Sequence, residues 1–373
     1  MLTFILMMLN LHQITLFKTT DVHTPYRIPA IATAYNGDVI ALGDYRPCGY
    51  DIGWGEVDIH CRISKDNGLS WSTETKIADG TGAKNTFGCG FGDAAIVADN
   101  ESNRVLVMCV AGNTIFGQGT ETKHNHMAKI YGEYNHLENK WEWSEPIDVT
   151  QIFFKDLFPN AYTMFIASGK ILQGRRKIKQ WDKYNRIYCV LVIKDDYTPD
   201  YKNYVIYSDD FGVTWKILGE CACFGGDEAK VEELPNGQIV LTSRKRGGGR
   251  YINVFTYSDF ESGIGKWDEQ AFCQFEGKNA TNGELLMYKT YLLQSLPIGD
   301  DRSKVTLYYK KIDNNIMYNS EMLIENWVKY KVIDDGASAY STMTILPNGK
   351  LGFFYEKNDD FIELIFKIIR LNL

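Results

Sequence analysis

Proline is scarce in this chain, 9 in 373 residues, against 23 Tyr, 19 Phe and 8 Trp. That balance favours residues that suit half-buried pleated sheets and points to β structure. Long helical periodicity is missing as well. No block of Lys and Arg is long enough to track a phosphate backbone, and the formal net charge is -7; both argue against nucleic acid as a partner, so any anionic ligand must be held locally. Metal-ligand spacing is absent: the eight cysteines (Cys48, Cys61, Cys89, Cys109, Cys189, Cys221, Cys223, Cys273) are scattered singly apart from the Cys221 and Cys223 pair. A chain of this size needs no disulfides for stability, so the cysteines leave the compartment open. No apolar run reaches bilayer-spanning length. Met1-Leu2-Thr3-Phe4-Ile5-Leu6-Met7-Met8-Leu9 is apolar, but too short to span and without the basic flank of a complete signal peptide. Residues 1–16 are therefore expected to be an export-signal remnant or a first strand, and 17–373 a single domain.

What the chain does have is a series of short β-branched and aromatic stretches between turn signals, at 30–42, 104–110, 186–193, 238–242, 304–309 and 351–355. Tyr35-Asn36-Gly37, Pro235-Asn236-Gly237 and Pro347-Asn348-Gly349 each precede such a stretch, as tight hairpin turns would. Many hairpins imply a mostly antiparallel sheet protein.

A repeat narrows the architecture. Ser64-Lys65-Asp66-Asn67-Gly68-Leu69-Ser70-Trp71 and Ser208-Asp209-Asp210-Phe211-Gly212-Val213-Thr214-Trp215 share the pattern S-x-D-x-G-x-[ST]-W, each after an apolar strand. The pattern suits a hairpin tip: Asp accepts the turn's backbone donors, Gly supplies a positive φ, and Trp packs beneath. Degenerate echoes occur at Ser258-Asp259 with Trp267, Asp313 with Trp327, and Asn139 with Trp141 and Trp143. Repetition at such intervals suggests radially arranged β blades, each covering its neighbour's face.

These two repeats resemble the Asp boxes of sialidases, and Tyr26-Arg27-Ile28-Pro29 resembles that family's Arg-Ile-Pro motif. Similar landmarks continue to Glu356, so the likeness spans nearly the whole chain. The resemblance implies an all-β fold, a six-bladed β-propeller with its site at the central axis. It also implies a retaining exo-α-sialidase that needs neither metal nor organic cofactor, with sialylated glycans, glycoproteins or gangliosides as substrate. A monomer is expected, exported to the periplasm, the cell surface or the medium.

The chemistry of such a substrate can be tested against the residues. Sialic acid carries a carboxylate on its anomeric carbon, and Arg offers a bidentate fork that Lys lacks. Arg27, Arg244 and Arg302 stand at positions like those of the family's arginine triad. A carboxylate nucleophile would meet an anomeric centre that already bears negative charge, whereas tyrosine arrives neutral and is deprotonated as it attacks. Tyr340, in Gly336-Ala337-Ser338-Ala339-Tyr340-Ser341-Thr342-Met343, resembles the family's nucleophile segment, and Glu228, sixteen positions before Arg244, resembles its partner. Departure of the leaving group needs a proton donor on a mobile, partly apolar loop. Asp51, in Arg46-Pro47-Cys48-Gly49-Tyr50-Asp51-Ile52-Gly53-Trp54, fits that role; Asp44 and Asp58 compete for it, and Pro47-Cys48 departs from common family versions of the loop. The resemblance further implies that Arg46 and Asp93 line the pocket and that Glu356 braces the first arginine.

Other strings carry less. Gly88-Cys89-Gly90-Phe91-Gly92 has no βαβ unit around it and reads as a turn, and Arg246-Gly247-Gly248-Gly249-Arg250 lacks the ending of a phosphate loop and reads as a hairpin. Asn100-Glu101-Ser102 and Asn279-Ala280-Thr281 are glycosylation acceptors only if the host secretes through a eukaryotic pathway. Three alternative readings stay open: a trans-sialidase or intramolecular trans-sialidase using the same residues, a non-catalytic glycan-binding propeller, since Asp boxes report fold alone, and an enzyme for a related nonulosonic acid.

Overall fold

The computed structural model describes residues 13–178, 183–195 and 200–373. The apolar run 1–9 lies outside them. Six sheets of mainly antiparallel strands follow one another along the described chain, at 26–78, 91–148, 163–224, 226–273, 284–332 and 338–369, with the short strand Gly169–Lys170 added in parallel to Phe91–Ala98 of the second. Strand Gln13–Lys18 pairs with Ile362–Ile369, so the first of the described strands is the outermost strand of the last sheet. The result is a six-bladed β-propeller. Among the described residues the helices are single turns, such as Ser320–Ile324, capped by Asn319 through the Met322 N–H at 2.9 Å.

The expected strands form with one change. The stretch 30–42 is two strands, Tyr26–Thr33 and Val39–Tyr45, joined by the Asn36-Gly37 turn. In that turn, and in those at Asn236 and Asn348, the Asn side-chain oxygen accepts from the N–H two residues on, at 3.0, 2.9 and 3.1 Å. All three join the first and second strands of a blade.

The blades hold together through their faces. Among the described residues the six larger apolar clusters each lie between neighbouring blades: one combines Leu106, Met108, Ile187 and Leu191 of the second and third, another Phe17, Tyr26, Phe354 and Phe366 of the sixth and first. Both copies of the S-x-D-x-G-x-[ST]-W repeat cap the turn between third and fourth strands of a blade. Asp66 accepts the Ser70 N–H at 2.8 Å and its hydroxyl at 2.5 Å, and Asp210 accepts the same groups of Thr214 at 2.8 and 2.6 Å. Gly68 and Gly212 both have φ +84°, and a Cβ there would meet Phe366 at 2.3 Å and Leu106 at 2.5 Å, side chains of the preceding blade. Glycine is thus required twice over, for conformation and for contact. Trp215 sits in the cluster between the second and third blades, and the tryptophans of the degenerate echoes, Trp141, Trp267 and Trp327, pack likewise toward the blade before their own. The repeat is structural: it pins each outer hairpin to its neighbour.

Candidate active site

With those turns at one end of the propeller, the other end receives the start of every first strand, the end of every second strand and the loops between second and third strands. Every residue singled out from the sequence falls there. Arg27, Asp93, Glu228 and Tyr340 are at the start of the innermost strands Tyr26–Thr33, Phe91–Ala98, Gly226–Glu233 and Ser338–Ile345. Arg244 and Glu356 lie near the ends of the second strands Ile239–Lys245 and Leu351–Asn358. Arg46, Asp51 and Arg302 belong to loops between second and third strands.

The same four innermost strands begin with a break in register, between Arg27 and Ala30, Gly92 and Ala95, Gly226 and Ala229, and Ser338 and Ser341. Bulges bend a strand and re-aim its side chains, here toward the axis. Ile28 and Asp93 take φ values of 56° and 55° in these bulges. A β-branched residue in the left-handed region is strained. Ile28 is held there by its N–H, which donates to Glu356 Oε1 at 2.7 Å.

These elements enclose a cavity of about 260 Å³. Its polar wall is Arg27, Arg46, Asp51, Asp93, Glu228, Arg302 and Tyr340; its apolar wall is Ile52, Trp54, Val110, Ile115, Phe116, Met164 and Phe165. Arg244 and Glu356 stand behind the polar wall. The Tyr340 hydroxyl donates to Glu228 Oε1 at 2.5 Å, and Arg244 Nη1 donates to Glu228 Oε2 at 2.9 Å. Arg27 forms a fork on Glu356, Nε to Oε1 at 2.9 Å and Nη2 to Oε2 at 3.3 Å. The guanidinium carbons of Arg302 and Arg27 lie 5.1 and 5.8 Å from the centre of the Tyr340 ring.

Arg46, almost wholly buried, gathers three carboxylates on Nη2: Asp51 at 3.0 Å, Asp44 at 3.1 Å and Asp93 at 3.7 Å. Asp44 also accepts the Asp93 N–H at 3.1 Å. A Cβ on Gly92 would come within 2.9 Å of that Asp44 oxygen, so glycine there makes room for the carboxylate. Of the two competitors for the acid's role, Asp44 is therefore built into the cavity's base. Asp58 is built into the first blade, where it accepts the Gly80 N–H at 2.8 Å and pairs with Lys76 at 2.9 Å.

Electrostatics follow burial. Burial pushes the Glu228 carboxyl above the ordinary range while Arg244 pulls it back. Burial, and then the Glu228 charge, push the Tyr340 phenol well above its ordinary value, against Arg302 and Arg244. Asp93 is driven well up by burial and by Asp51 and Asp44, and Asp44 is raised to about 6, mainly by burial, with Arg46 opposing. Arg27, Arg46 and Arg244 each have a carboxylate partner; among the described residues Arg302 forms no ion pair.

The loop expected to carry the acid is partly apolar, with Ile52 and Trp54 in the cavity wall, while the Asp51 side chain itself is 66% exposed and rests on Arg46, with its own loop backbone, the Ile52 N–H, donating to it at 3.0 Å. The aromatic rings of its loop, Tyr50 and Trp54, face each other 5.5 Å apart and stay exposed. Val110, Ile115, Phe116, Met164 and Phe165, together with Thr114 and Asn125, were not legible in the sequence. They come from the second and third blades and meet only at the axis; once strand ends are known, Val110 and 114–116 could be found by analogy with Arg46 and Asp51, since they follow a second strand in the same way. Gly88–Gly92 leads into the innermost strand of the second blade, and Gly247, Gly248 and Gly249 make a hairpin turn with φ of 85°, 119° and 75°. All eight cysteines are free thiols.

No family model matches the chain. A sialidase of Micromonospora viridifaciens is 27% identical over 348 residues, covering 89% of this chain and 50% of that protein. Among solved structures, a Hadza microbial sialidase superposes with a TM-score of 0.71 at 20% identity, covering 96% of this chain and 68% of that one. Trypanosoma rangeli sialidase superposes with a TM-score of 0.73 at 17% identity, covering 96% and 59%. The chain thus spans about half the length of the curated relatives it matches. In sequence the chain is similar to these sialidases, and it shares the fold of the solved ones.

Proposed function

We propose that the protein is an exo-α-sialidase that hydrolyses terminal sialic acid from glycoconjugates with retention. The observation that carries this reading is the Tyr340 hydroxyl bonded at 2.5 Å to Glu228 in a cavity lined by Arg27, Arg46 and Arg302, with Arg244 behind Glu228; Arg302 forms no ion pair among the described residues. Arg27, Arg244 and Arg302 take the substrate carboxylate, with Arg302 supplying the charge that no protein carboxylate neutralises. Glu356 keeps Arg27 in place and offsets the repulsion within the cluster.

In the first step Asp51 gives its proton to the glycosidic oxygen while Tyr340 attacks the anomeric carbon and passes its phenolic proton to Glu228. A covalent sialyl-tyrosine results, the route by which sialidases depart from the two-carboxylate scheme. Burial supports this division of labour: a tyrosine held neutral in the resting site arrives without charge, and a carboxylate made more basic by burial is a better acceptor of its proton. In the second step Asp51, now ionised, takes a proton from water as the oxygen of that water attacks the anomeric carbon, and the tyrosine leaves with its proton returned from Glu228. The exposure of Asp51 suits a group that must meet both leaving group and water. We also propose that the protein acts outside the cytoplasm, where such glycans are.

The test is hydrolysis of 4-methylumbelliferyl α-sialoside, with the first-formed sialic acid anomer read by proton NMR. The α-anomer is expected from wild type, and none from Tyr340→Phe. Initial release of the β-anomer would overturn the double displacement, a 2,7-anhydro or transferred product would overturn hydrolysis in favour of trans-sialidase chemistry, and an inactive wild type would leave a glycan-binding propeller.

A further inference from the structure

Behind Arg27, away from the cavity, a second polar cluster is built into the first blade. Tyr26 immediately precedes Arg27, and in a strand its side chain points the opposite way. Its hydroxyl lies 2.7 Å from Glu74 Oε1 and 2.8 Å from His60 Nδ1, and His60 Nδ1 is 2.8 Å from the same Glu74 oxygen. The other ring nitrogen of His60 faces Asp58 at 3.7 Å without a hydrogen bond. A buried imidazole between two carboxylates is suited to carry a proton on each nitrogen. Tyr45, immediately before Arg46, stacks on that imidazole with ring centres 5.0 Å apart, and Tyr26 leans on Tyr45 at 5.0 Å. Register ties these groups to the site: Tyr26 pairs with Tyr45, Arg27 with Asp44, and Tyr45 with Asp58.

We propose that Tyr26, His60 and Glu74 are positioning residues that fix Arg27 and the strand ending in Asp44 and Arg46, so that charge on a histidine outside the cavity governs how tightly the anionic substrate is held. The inference rests on the sialidase reading given above. Two site arginines adjoin the cluster along the chain, one through Tyr26 and one through Tyr45. When His60 is charged, it joins Glu74 to Asp58 across the blade. When it is neutral, Asp58 and Glu74 lose that bridge and keep Lys76 at 2.9 Å and Arg62 at 3.8 Å as counter-charges, and the Tyr26 hydroxyl is left with an imidazole that bonds to it or to Glu74 without a charge. Tyr45 and Tyr26 are the other titratable groups that face the ring. Burial works against the imidazolium, but Asp58 and Glu74 outweigh it and hold the group above the ordinary histidine range. Its charge is thus present at low pH and lost as pH rises through that raised value.

The experiment is the pH dependence of kcat and KM for sialoside hydrolysis by wild type, His60→Gln and Tyr26→Phe, with the His60 imidazole followed by NMR. Wild-type KM is expected to rise over the interval in which His60 loses its proton, with little change in kcat. His60→Gln should show a KM raised about fivefold at low pH, the scale of one lost hydrogen bond, and flat across that interval. Tyr26→Phe should show a raised KM that still responds to pH, and it guards against a His60 variant that fails to fold. A His60 that titrates with no change in wild-type KM, or variants whose KM follows wild type throughout, would overturn the network alone. An equal fall of kcat and melting temperature with KM unchanged would also overturn it, reducing the cluster to packing. Wild type without turnover would overturn both the sialidase reading and the network's role in it.

Discussion

The two sides of the cavity are built differently. Glu228, Tyr340, Arg27 and Glu356 sit on β-strands at the axis, buried and bonded to one another at 2.5 to 3.3 Å. Asp51 and Arg302 sit on loops; Asp51 is two-thirds exposed, and Arg302 forms no ion pair among the described residues. The strand-borne side is preorganised, since its geometry is fixed by sheet register and braced by carboxylates, as the nucleophile and base of the proposed mechanism would require. In the proposed mechanism the loop-borne side holds the groups that must meet what varies: leaving group, water and incoming carboxylate. Rigidity and access are assigned to different structural layers of one site.

Breaking the strand-borne side should cost the most. Tyr340→Phe is expected to lower kcat by on the order of 10³-fold or more, and Glu228→Gln by about 10²- to 10⁴-fold, both measured on folded protein. On the loop-borne side, Asp51→Ala should lower kcat by about 10²-fold on sialyllactose and much less on the 4-methylumbelliferyl sialoside, whose leaving group needs little protonation. Its melting temperature should match wild type because the side chain is exposed; equal losses on both substrates would mean that Asp51 is not the acid. Arg302→Lys should raise KM about tenfold, the scale of a charge-assisted hydrogen bond lost with the guanidinium fork, while kcat stays near wild type.

The smallest effect sharpens the boundary between the two sides, where Asp44 lies at the base of the loop. A folded value of about 6, raised from the ordinary carboxyl range, means that the folded state holds this proton more tightly than the unfolded chain. Its contribution to stability is complete below the ordinary Asp range and is lost as pH rises toward 6. Melting temperatures measured from pH 4 to pH 7 should therefore fall less for Asp44→Asn than for wild type. A steeper fall in the variant would show instead that an ionised Asp44 stabilises the fold through Arg46.

How much could be read in advance depended on how local the signal was. The Asp boxes were legible because a turn of eight residues closes on itself: Asp66 and Asp210 bond within four positions of their own places in the chain. That Tyr340 and Glu228 meet was expected only through family likeness, since they are 112 positions apart and nothing near either one requires the other. The apolar wall from Val110 to Phe165 was not legible at all, because its members look like any core residue until the axis brings them together. The exposure of Asp51 was not legible either, because how its loop lies on Arg46 is a matter of packing.

By itself the sequence determined what depends on near neighbours: strands from β-branched and aromatic patterning, hairpins from Asn-Gly turns, and outer-turn caps from the Asp boxes. The tertiary structure decided what depends on closure of the ring. Six blades bury one another's faces only when the first strand completes the last sheet, and that closure sets which strand ends converge on one axis. The charges of the site are separated by up to 329 positions in the chain. They acquire their meaning there because Coulomb interactions and hydrogen bonds act over ångströms in space and are indifferent to distance along the sequence.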